Sequence, residues 1–307
     1  MKIFIRKTIF FIILILLTDL IIGNILRYYY YKQTNGNYAR ITYALEKTSE
    51  DLLIFGSSRA THHYVPQVFE EDSLNFSYYN VGKDGQSIVY QLAVLKSTLI
   101  RYTPKIIILD IRPGEFEYQA NVMDKLSILL PYYKNHPELK NLIHNRSTFE
   151  KYKLLSSIYP YNSLMVSIMA GNIESVKEKS IKGYVPLYGI WSKELKKSYK
   201  SKPIDDFMLS QFNEFLITTK KSNCKLYVII SPIYLKYEVP DETIETVKII
   251  CKKEGVSFYD YSNDMLFLKN KKYFKDILHL NNEGAKLFSE IINDKIKASY
   301  INKNCER

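Results

Sequence analysis

Five short apolar runs constrain the fold of this chain more than any other feature of its sequence. The clearest are KIIILDI at 105–111 and KLYVIIS at 225–231, which are apolar on both faces rather than alternating. Such runs are typical of parallel strands covered by helices on both sides. Helical patterns separate the runs, so the sequence predicts an α/β fold, a three-layer α/β/α sandwich with a five-stranded parallel sheet of the flavodoxin-like type. The predicted strands are 52–55, 76–81, 105–111, 225–231 and 256–261.

The N-terminus carries a second constraint, an apolar run at 8–26 preceded by Lys2, Arg6 and Lys7. It reaches the length of about 20 residues that a membrane-spanning helix needs. A cleaved signal peptide is the alternative, but no small-residue cleavage site follows the run. The sequence therefore favours an uncleaved single-pass anchor, with the N-terminus in the cytoplasm and the rest outside the membrane, periplasmic or at the cell surface. Asp19, inside the run, could either face a partner or reach toward the headgroups.

The predicted organisation follows from these two features. An anchor occupies 1–27, a juxtamembrane linker 28–49, and the α/β domain 50–307. Between the third and fourth strands lies an insertion at about 118–201, rich in Tyr, Lys and Asn. Segments of this length inside a compact domain are often lids or binding elements.

Charge and cysteine content exclude several classes of function. The formal net charge of +11 favours anionic partners. No nucleic-acid-binding motif and no compact Arg-rich block accompany it, so nucleic acid is not a predicted partner. The three cysteines have neither CxxC nor metal-ligand spacing, which predicts no metal site, and no cofactor motif is present.

Residues suited to chemistry follow several of the predicted strands. In an open parallel sheet, sites form beyond the carboxyl ends of the strands, so these residues are expected at one edge. Ser57 or Ser58 would lie at the start of a helix, where a serine is either a nucleophile or simply a helix cap. Asp276 precedes His279 by three residues, so its carboxylate can orient the imidazole as a base. The segments are Gly56-Ser57-Ser58-Arg59, Asn80 to Gly85, Asp110 with Arg112, and Asp276 to His279.

In this arrangement the chain resembles the SGNH (GDSL-like) hydrolase superfamily. Gly56-Ser57-Ser58 matches the first block of that superfamily, Asn80 and Gly85 match the second, and Asp276-x-x-His279 matches the last. The resemblance implies a catalytic triad of Ser58, His279 and Asp276, with the backbone N–H groups of Ser58 and Gly85 as the oxyanion hole.

One block departs from the superfamily pattern. The third block normally supplies an Asn side chain as an oxyanion donor, whereas this chain reads Asp110-Ile111-Arg112-Pro113. Arg112 or Arg59 could substitute for the missing donor, or the enzyme is slow or inactive. We interpret Arg59, His62, Asp110 and Arg112 as residues that could line the site, with Asp110 more suited to pairing with an arginine than to catalysis. His62 could equally be a packed or surface histidine.

The Gly-Ser-Ser variant and the anchor look most like membrane-bound proteins that transfer acyl groups to cell-envelope polymers, of the D-alanyl transfer and alginate acetylation type. That similarity implies a serine esterase or O-acyltransferase acting on an acylated cell-surface polysaccharide or envelope polymer. It also implies a multi-pass membrane acyltransferase as a partner. The alternative is a catalytically inactive glycan-binding or scaffold protein of a membrane acylation complex.

Overall fold

The computed structural model describes residues 1–71, 75–173, 180–192, 201–234 and 241–305, with the backbone alone over 301–305. Its contacts divide the chain into two units. The helical unit consists of Met1–Tyr43 and Ala120–Glu178, and the sheet unit consists of Ala44–Gln119 and Lys179–Arg307. The predicted insertion therefore contributes to both units. Its residues 174–179 and 193–200 lie outside the described residues.

The sheet unit is built on five parallel strands in the order β2-β1-β3-β4-β5. Strands β1, β3 and β4 are almost entirely buried, as their continuous apolar sequences require. The fold class predicted from the sequence is thus confirmed. The strands are β1 (Leu52–Gly56), β2 (Tyr78–Asn80), β3 (Ile106–Asp110), β4 (Lys225–Ile230) and β5 (Ser257–Asp260).

Helices connect and cover the strands. The α-helices of the described residues are α1 (Lys2–Lys32), α2 (Gly36–Glu46), α3 (Ser58–His63), α4 (Pro66–Glu70), α5 (Ile88–Arg101), α6 (Val122–Lys125), α7 (Lys140–His144), α8 (Glu150–Lys153), α9 (Met165–Gly171), α10 (Asp206–Lys221), α11 (Glu242–Glu254), α12 (Met265–Leu268) and α13 (Asn282–Cys305). Short 3-10 helices lie at Leu126–Tyr132, Pro137–Leu139, Tyr159–Leu164 and Lys271–Tyr273.

The last helix, α13, shows how the sequence pattern becomes packing. Along one face of the helix, apolar residues recur every three or four positions and are buried in one core with β1, β3 and β4. Because α13 is fixed on the sheet, the chain segment just before it is also fixed. The buried positions are Ala285, Phe288, Ile292 and Ile296.

The helical unit is dominated by α1. Among the described helices, α1 is long and apolar enough to cross a membrane, and almost none of its apolar stretch is buried. The segment predicted as a linker is largely helical, since α1 continues to Lys32 and α2 begins at Gly36. Of the aromatic residues that follow the apolar run, Tyr28 and Tyr29 are exposed, whereas Tyr30 is fully buried and its hydroxyl donates to Tyr132 at 3.0 Å.

Candidate active site

The turn from β1 into α3 positions the candidate nucleophile. Gly56 ends β1 with φ +142°, and a Cβ there would lie 2.6 Å from the Asp110 carbonyl oxygen, so only glycine fits. The side-chain amide of Gln91 binds both backbone groups of Gly56, accepting from its N–H at 3.2 Å and donating to its carbonyl at 2.8 Å. Ser58 then begins α3, one residue after the N-cap Ser57, whose side chain makes no capping hydrogen bond.

The structure brings Ser58, His279 and Asp276 together, although Ser58 and His279 are 221 residues apart in sequence. The Ser58 hydroxyl donates to His279 Nε2 at 2.7 Å. The opposite ring nitrogen, Nδ1, lies 3.0 Å from both carboxylate oxygens of Asp276. Since a carboxylate can only accept, Nδ1 carries the proton and Nε2 is free to accept one. Ser58 thus uses its hydroxyl on the imidazole and not as a helix cap.

The Asp276 carboxylate is held in place by its own turn. Besides the imidazole, it accepts from the backbone N–H groups of Leu278 at 2.8 Å and His279 at 3.0 Å. Burial alone would raise the pKa of this carboxyl, but the hydrogen bonds from His279 and Leu278 hold it below its usual value. The carboxylate is therefore ionised at neutral pH. Its side chain remains 39% exposed, and that of His279 19%, so the site is open to solvent.

His63 supports the imidazole from inside the protein. Its Nε2 accepts from the backbone N–H of Leu280, the residue after His279, at 3.0 Å. Its Nδ1–H therefore donates to the Ser231 hydroxyl at 2.9 Å, which fixes the tautomer. Complete burial, together with the charge of Arg59 and the two neighbouring histidines, lowers the pKa of His63 well below 6.5. His63 is thus a neutral support, a role that the sequence did not reveal.

Asn80 and the glycines after β2 shape the other side of the site. The Asn80 amide donates to the carbonyl of Ala60 in α3 at 2.6 Å and accepts from the Gly82 N–H at 2.9 Å. Gly82 packs so tightly on α3 that a Cβ would lie 2.8 Å from that of Ala60. The Gln86 N–H bonds to the Lys83 carbonyl across a turn in which Gly85 has φ +72°. Asn80 is therefore a structural link between α3 and this turn.

The turn carries the backbone group expected in the oxyanion hole. Among the described residues, neither the Gly85 N–H nor the Ser58 N–H has a hydrogen-bond acceptor in the protein. Asp84, next to Gly85, is bound by His62 Nε2 at 3.2 Å, while His62 Nδ1 donates to the carbonyl of Val185 at 2.7 Å. The two ring nitrogens of His62 thus each contact an oxygen, one from Asp84 and one from Val185.

His62 therefore links α3 to the Gly85 turn and contacts the triad edge-on, with its ring centroid 5.6 Å from that of His279. Burial would raise the pKa of Asp84, but hydrogen bonds from His62 and Thr61 and the charge of Lys83 hold it well below its usual range. The Asp84 carboxylate therefore stays ionised at neutral pH.

The remaining candidate residues form ion pairs. Arg59, which is 4% exposed, donates to Asp110 at 3.0 Å and to the carbonyl of Ile111 at 2.6 Å. The predicted pairing of Asp110 with an arginine is thus present, and Tyr64 donates to the second oxygen of Asp110 at 2.7 Å. Removing one partner of a buried pair costs about 3–5 kcal/mol, so this pair holds α3 on β3.

Arg112, the other arginine considered as an oxyanion donor, binds Glu115. The Nε atom of Arg112 donates to Glu115 at 2.8 Å, and the second oxygen of Glu115 accepts from the N–H of Ile88 at the start of α5. Burial raises the pKa of Glu115, although the Arg112 charge opposes this effect. Both arginines that could substitute for the missing donor are thus engaged by neighbouring carboxylates.

Residues 181–191, which come from the predicted insertion, belong to the sheet unit and border the site. The Lys182 carbonyl accepts from Asn80, Val185 exchanges hydrogen bonds with α3, and the Asn282 N–H donates to the Leu187 carbonyl. Part of the insertion thus packs against α3 and binds the His62 side chain. Sequence reasoning missed this, as it missed Gln91, a lone amide among apolar residues of α5 and hence a recognisable signal.

No known family model matches the chain, and no curated protein matches its sequence. Several solved structures resemble it, and two of them serve as examples. One is a Bacteroides fragilis protein described as a "putative acylhydrolase", 14% identical over 83% of this chain and 89% of that chain, with a TM-score of 0.41. The other is a GDSL-like lipase from Bacteroides thetaiotaomicron, 14% identical over 85% of this chain and 96% of that chain, with a TM-score of 0.42. Likenesses at this level concern the fold and do not identify a function.

Proposed function

We propose that this protein is a membrane-anchored serine esterase or O-acyltransferase that uses Ser58 as nucleophile, His279 as base and Asp276 as orienting acid. The observation that supports it most is the uninterrupted hydrogen-bond chain from the Ser58 hydroxyl through His279 to Asp276. The Asp276 carboxylate faces Nδ1 of His279 and the Ser58 hydroxyl faces Nε2, which is the arrangement that acyl transfer needs before substrate binds.

The reaction follows from these positions. Ser58 Oγ attacks the carbonyl carbon of an ester, and its proton moves to His279 Nε2. The negative charge that develops on the carbonyl oxygen is met by the backbone N–H groups of Ser58 and Gly85. The intermediate collapses with the carbon–oxygen bond of the leaving alcohol breaking, and that oxygen takes the proton from Nε2. Water or a sugar hydroxyl then attacks the Ser58 ester and gives its proton to His279 Nε2. The bond between the acyl carbon and Ser58 Oγ breaks, and Oγ takes that proton back.

The substrate that we propose is an acylated cell-surface polysaccharide or envelope polymer. The net charge of +11 favours an anionic polymer. We also propose that α1 spans the membrane with its N-terminus in the cytoplasm, because three basic side chains precede the apolar run. The sheet unit is then extracytoplasmic, where a multi-pass membrane acyltransferase could supply or receive the acyl group.

A fluorophosphonate probe tests the nucleophile directly, since it phosphonylates an activated serine. The wild-type protein should be labelled at Ser58, and Ser58→Ala should abolish labelling and lower p-nitrophenyl acetate hydrolysis by at least about 10³-fold. Ser57→Ala is the matched control, because the Ser57 side chain makes no capping hydrogen bond. The Ser57→Ala variant should still be labelled by the probe and should still hydrolyse p-nitrophenyl acetate.

Two results would contradict the proposal. Labelling at Ser57 would show that Ser57, and not Ser58, is the nucleophile. A folded wild-type protein that is neither labelled nor active would favour the alternative of an inactive scaffold protein. Hydrolysis and transfer are separated by adding a sugar alcohol acceptor to the ester assay. An acyltransferase should form the acylated sugar at the expense of free acid, whereas an esterase should release the acid in full.

A further inference from the structure

The carboxylate inside the apolar run of α1 is engaged within its own unit. Asp19 accepts hydrogen bonds from the Ser156 hydroxyl at 2.5 Å and from the backbone N–H groups of Ser157 at 2.7 Å and Ile158 at 3.3 Å. One turn further along α1, a Cβ on Gly23 would overlap Ser157. The loop 156–158 therefore lies directly against the backbone of α1.

The position of this loop along α1 sets its depth. Asp19 lies seven residues before Leu26, the end of the apolar run, and an α-helix rises about 1.5 Å per residue. The loop therefore contacts α1 about 10 Å inside the outer end of the apolar run. Beyond that end, Tyr28 and Tyr29 are exposed, as expected of side chains at the headgroup level.

We propose that residues 149–173 are embedded in the outer half of the bilayer beside α1, with lipid acyl chains as their partner. This inference rests on the proposed membrane span of α1 and not on the proposed chemistry. Two further features of the segment, its hydrogen bonding and its exposed side chains, carry it.

Irregular backbone survives in hydrocarbon only if its polar groups are satisfied by the protein. Every backbone N–H from Leu154 to Tyr161 has such an acceptor. Those of Ser157 and Ile158 depend on Asp19, and that of Tyr159 depends on the Ser156 hydroxyl. Asp19 thus supplies from α1 the acceptors that water would supply at an aqueous surface.

The side chains of residues 149–173 also suit a hydrocarbon environment. Large apolar residues here are as exposed as those of α1, and they extend the apolar surface of α1 sideways. An aqueous surface rarely carries so many together. They are Phe149 (67%), Tyr152 (58%), Leu155 (81%), Met165 (42%), Val166 (80%), Met169 (68%) and Ile173 (53%).

Cations border this apolar surface on the side of α8. Lys151 lies over the Tyr152 ring at 5.0 Å and Lys153 over the Tyr159 ring at 5.8 Å. A lysine side chain can place its ammonium group near the lipid phosphates while its methylene groups stay in the hydrocarbon. The surface is continuous with α1, which favours lipid over a separate protein partner.

The test uses the full-length protein in nanodiscs of phosphatidylcholine that contain a phosphatidylcholine with a diazirine on its acyl chain. After irradiation, mass spectrometry should find lipid adducts on Leu155, Val166 and Met169 as well as on α1. Ile100 and Ile249, both 66% exposed in the sheet unit, measure the background. Adducts on α1 with only background labelling at 149–173 would overturn this inference alone. Labelling of α1 at only the background level would contradict the proposal that α1 spans the membrane.

A variant tests how the loop is held. Asp19→Ala removes the acceptors of Ser157 and Ile158, so labelling of Leu155 should change by several-fold while labelling of α1 persists. Asp19→Asn keeps one acceptor oxygen and should restore most of the wild-type pattern. Identical adducts on Leu155 in wild type and Asp19→Ala would overturn the assignment of Asp19 to this loop. The fluorophosphonate assay of the same samples reports separately on the proposed chemistry.

Discussion

The two sides of the candidate site are built by different means. On the triad side, Ser58, His279 and Asp276 are joined by side-chain hydrogen bonds of 2.7 to 3.0 Å. On the other side, where we propose the oxyanion hole, the expected donors are the backbone N–H groups of Ser58 and Gly85, and the His62–Asp84 pair lies beside Gly85. A backbone N–H group is still present after a side-chain substitution, but its position depends on the conformation of the turn that carries it. Substitutions should therefore affect chemistry on the first side and geometry on the second.

The largest difference is expected on the triad side. Asp276→Asn keeps the size of the side chain but favours the wrong imidazole tautomer, because its amide can donate to Nδ1. We expect kcat/KM for p-nitrophenyl acetate to fall by about 10²–10⁴-fold. Labelling by the fluorophosphonate should slow in parallel. A loss below threefold would show that the exposed Asp276 carboxylate does not orient His279.

On the oxyanion side, Gly85→Ala should have an intermediate effect. A Cβ at this position meets nothing within 4 Å, so only the φ of +72° is strained, and the N–H is displaced. We expect kcat to fall by about 10–10²-fold, less than the 10²–10³ for complete loss of one donor.

Gly255→Ala provides a matched control for this change. Gly255 ends α11 with φ +67° and equally open surroundings, so the strain and the change in melting temperature should be similar. Its activity should stay at the wild-type level. Equal losses of kcat in the two variants would mean that Gly85 acts through stability alone.

A smaller effect is expected for Asp84→Ala, which releases the Gly85 turn from His62. The N–H would remain but be less well placed, so we expect kcat to fall by about tenfold with little change in KM. Glu254→Ala, which breaks the exposed pair with Lys220, serves as a control without effect on kcat. An unchanged kcat in Asp84→Ala would remove the His62–Asp84 pair from the positioning of the turn.

The smallest effect that we expect concerns the stability of the folded protein and depends on the buried His63. His63 has a lowered pKa in the folded state, so below pH 6.5 the unfolded chain binds a proton that the folded protein does not. Stability should be complete above pH 6.5 and fall as the pH decreases below it.

Melting temperatures of the full-length protein between pH 5 and 8 check this direction. His63→Gln, which keeps a donor and an acceptor, should flatten the dependence in that interval. A wild-type melting temperature that rises on acidification from pH 7 to 5.5 would contradict a neutral His63.

The sequence predicted the sheet and grouped the triad residues because both follow from local patterns. Strand burial is visible in apolar runs, and the carboxyl edge of a parallel sheet collects whatever follows its strands. It did not predict that 181–191 packs beside α3, that Gln91 binds Gly56, or that Asp19 meets Ser156. Each of these contacts joins segments at least 35 residues apart through a few polar atoms, for which no periodicity exists.

Ser58 and His279, the proposed nucleophile and base, are 221 positions apart in the sequence, so they are synthesised at different times. The chain is made from its N-terminus at about 5–20 residues per second, so the serine emerges roughly 10–40 s before its base. Until then the hydroxyl has no partner to deprotonate it, and the nascent chain is chemically silent. Under the proposed mechanism, the protein would therefore not act on esters until synthesis of the sheet unit is nearly complete.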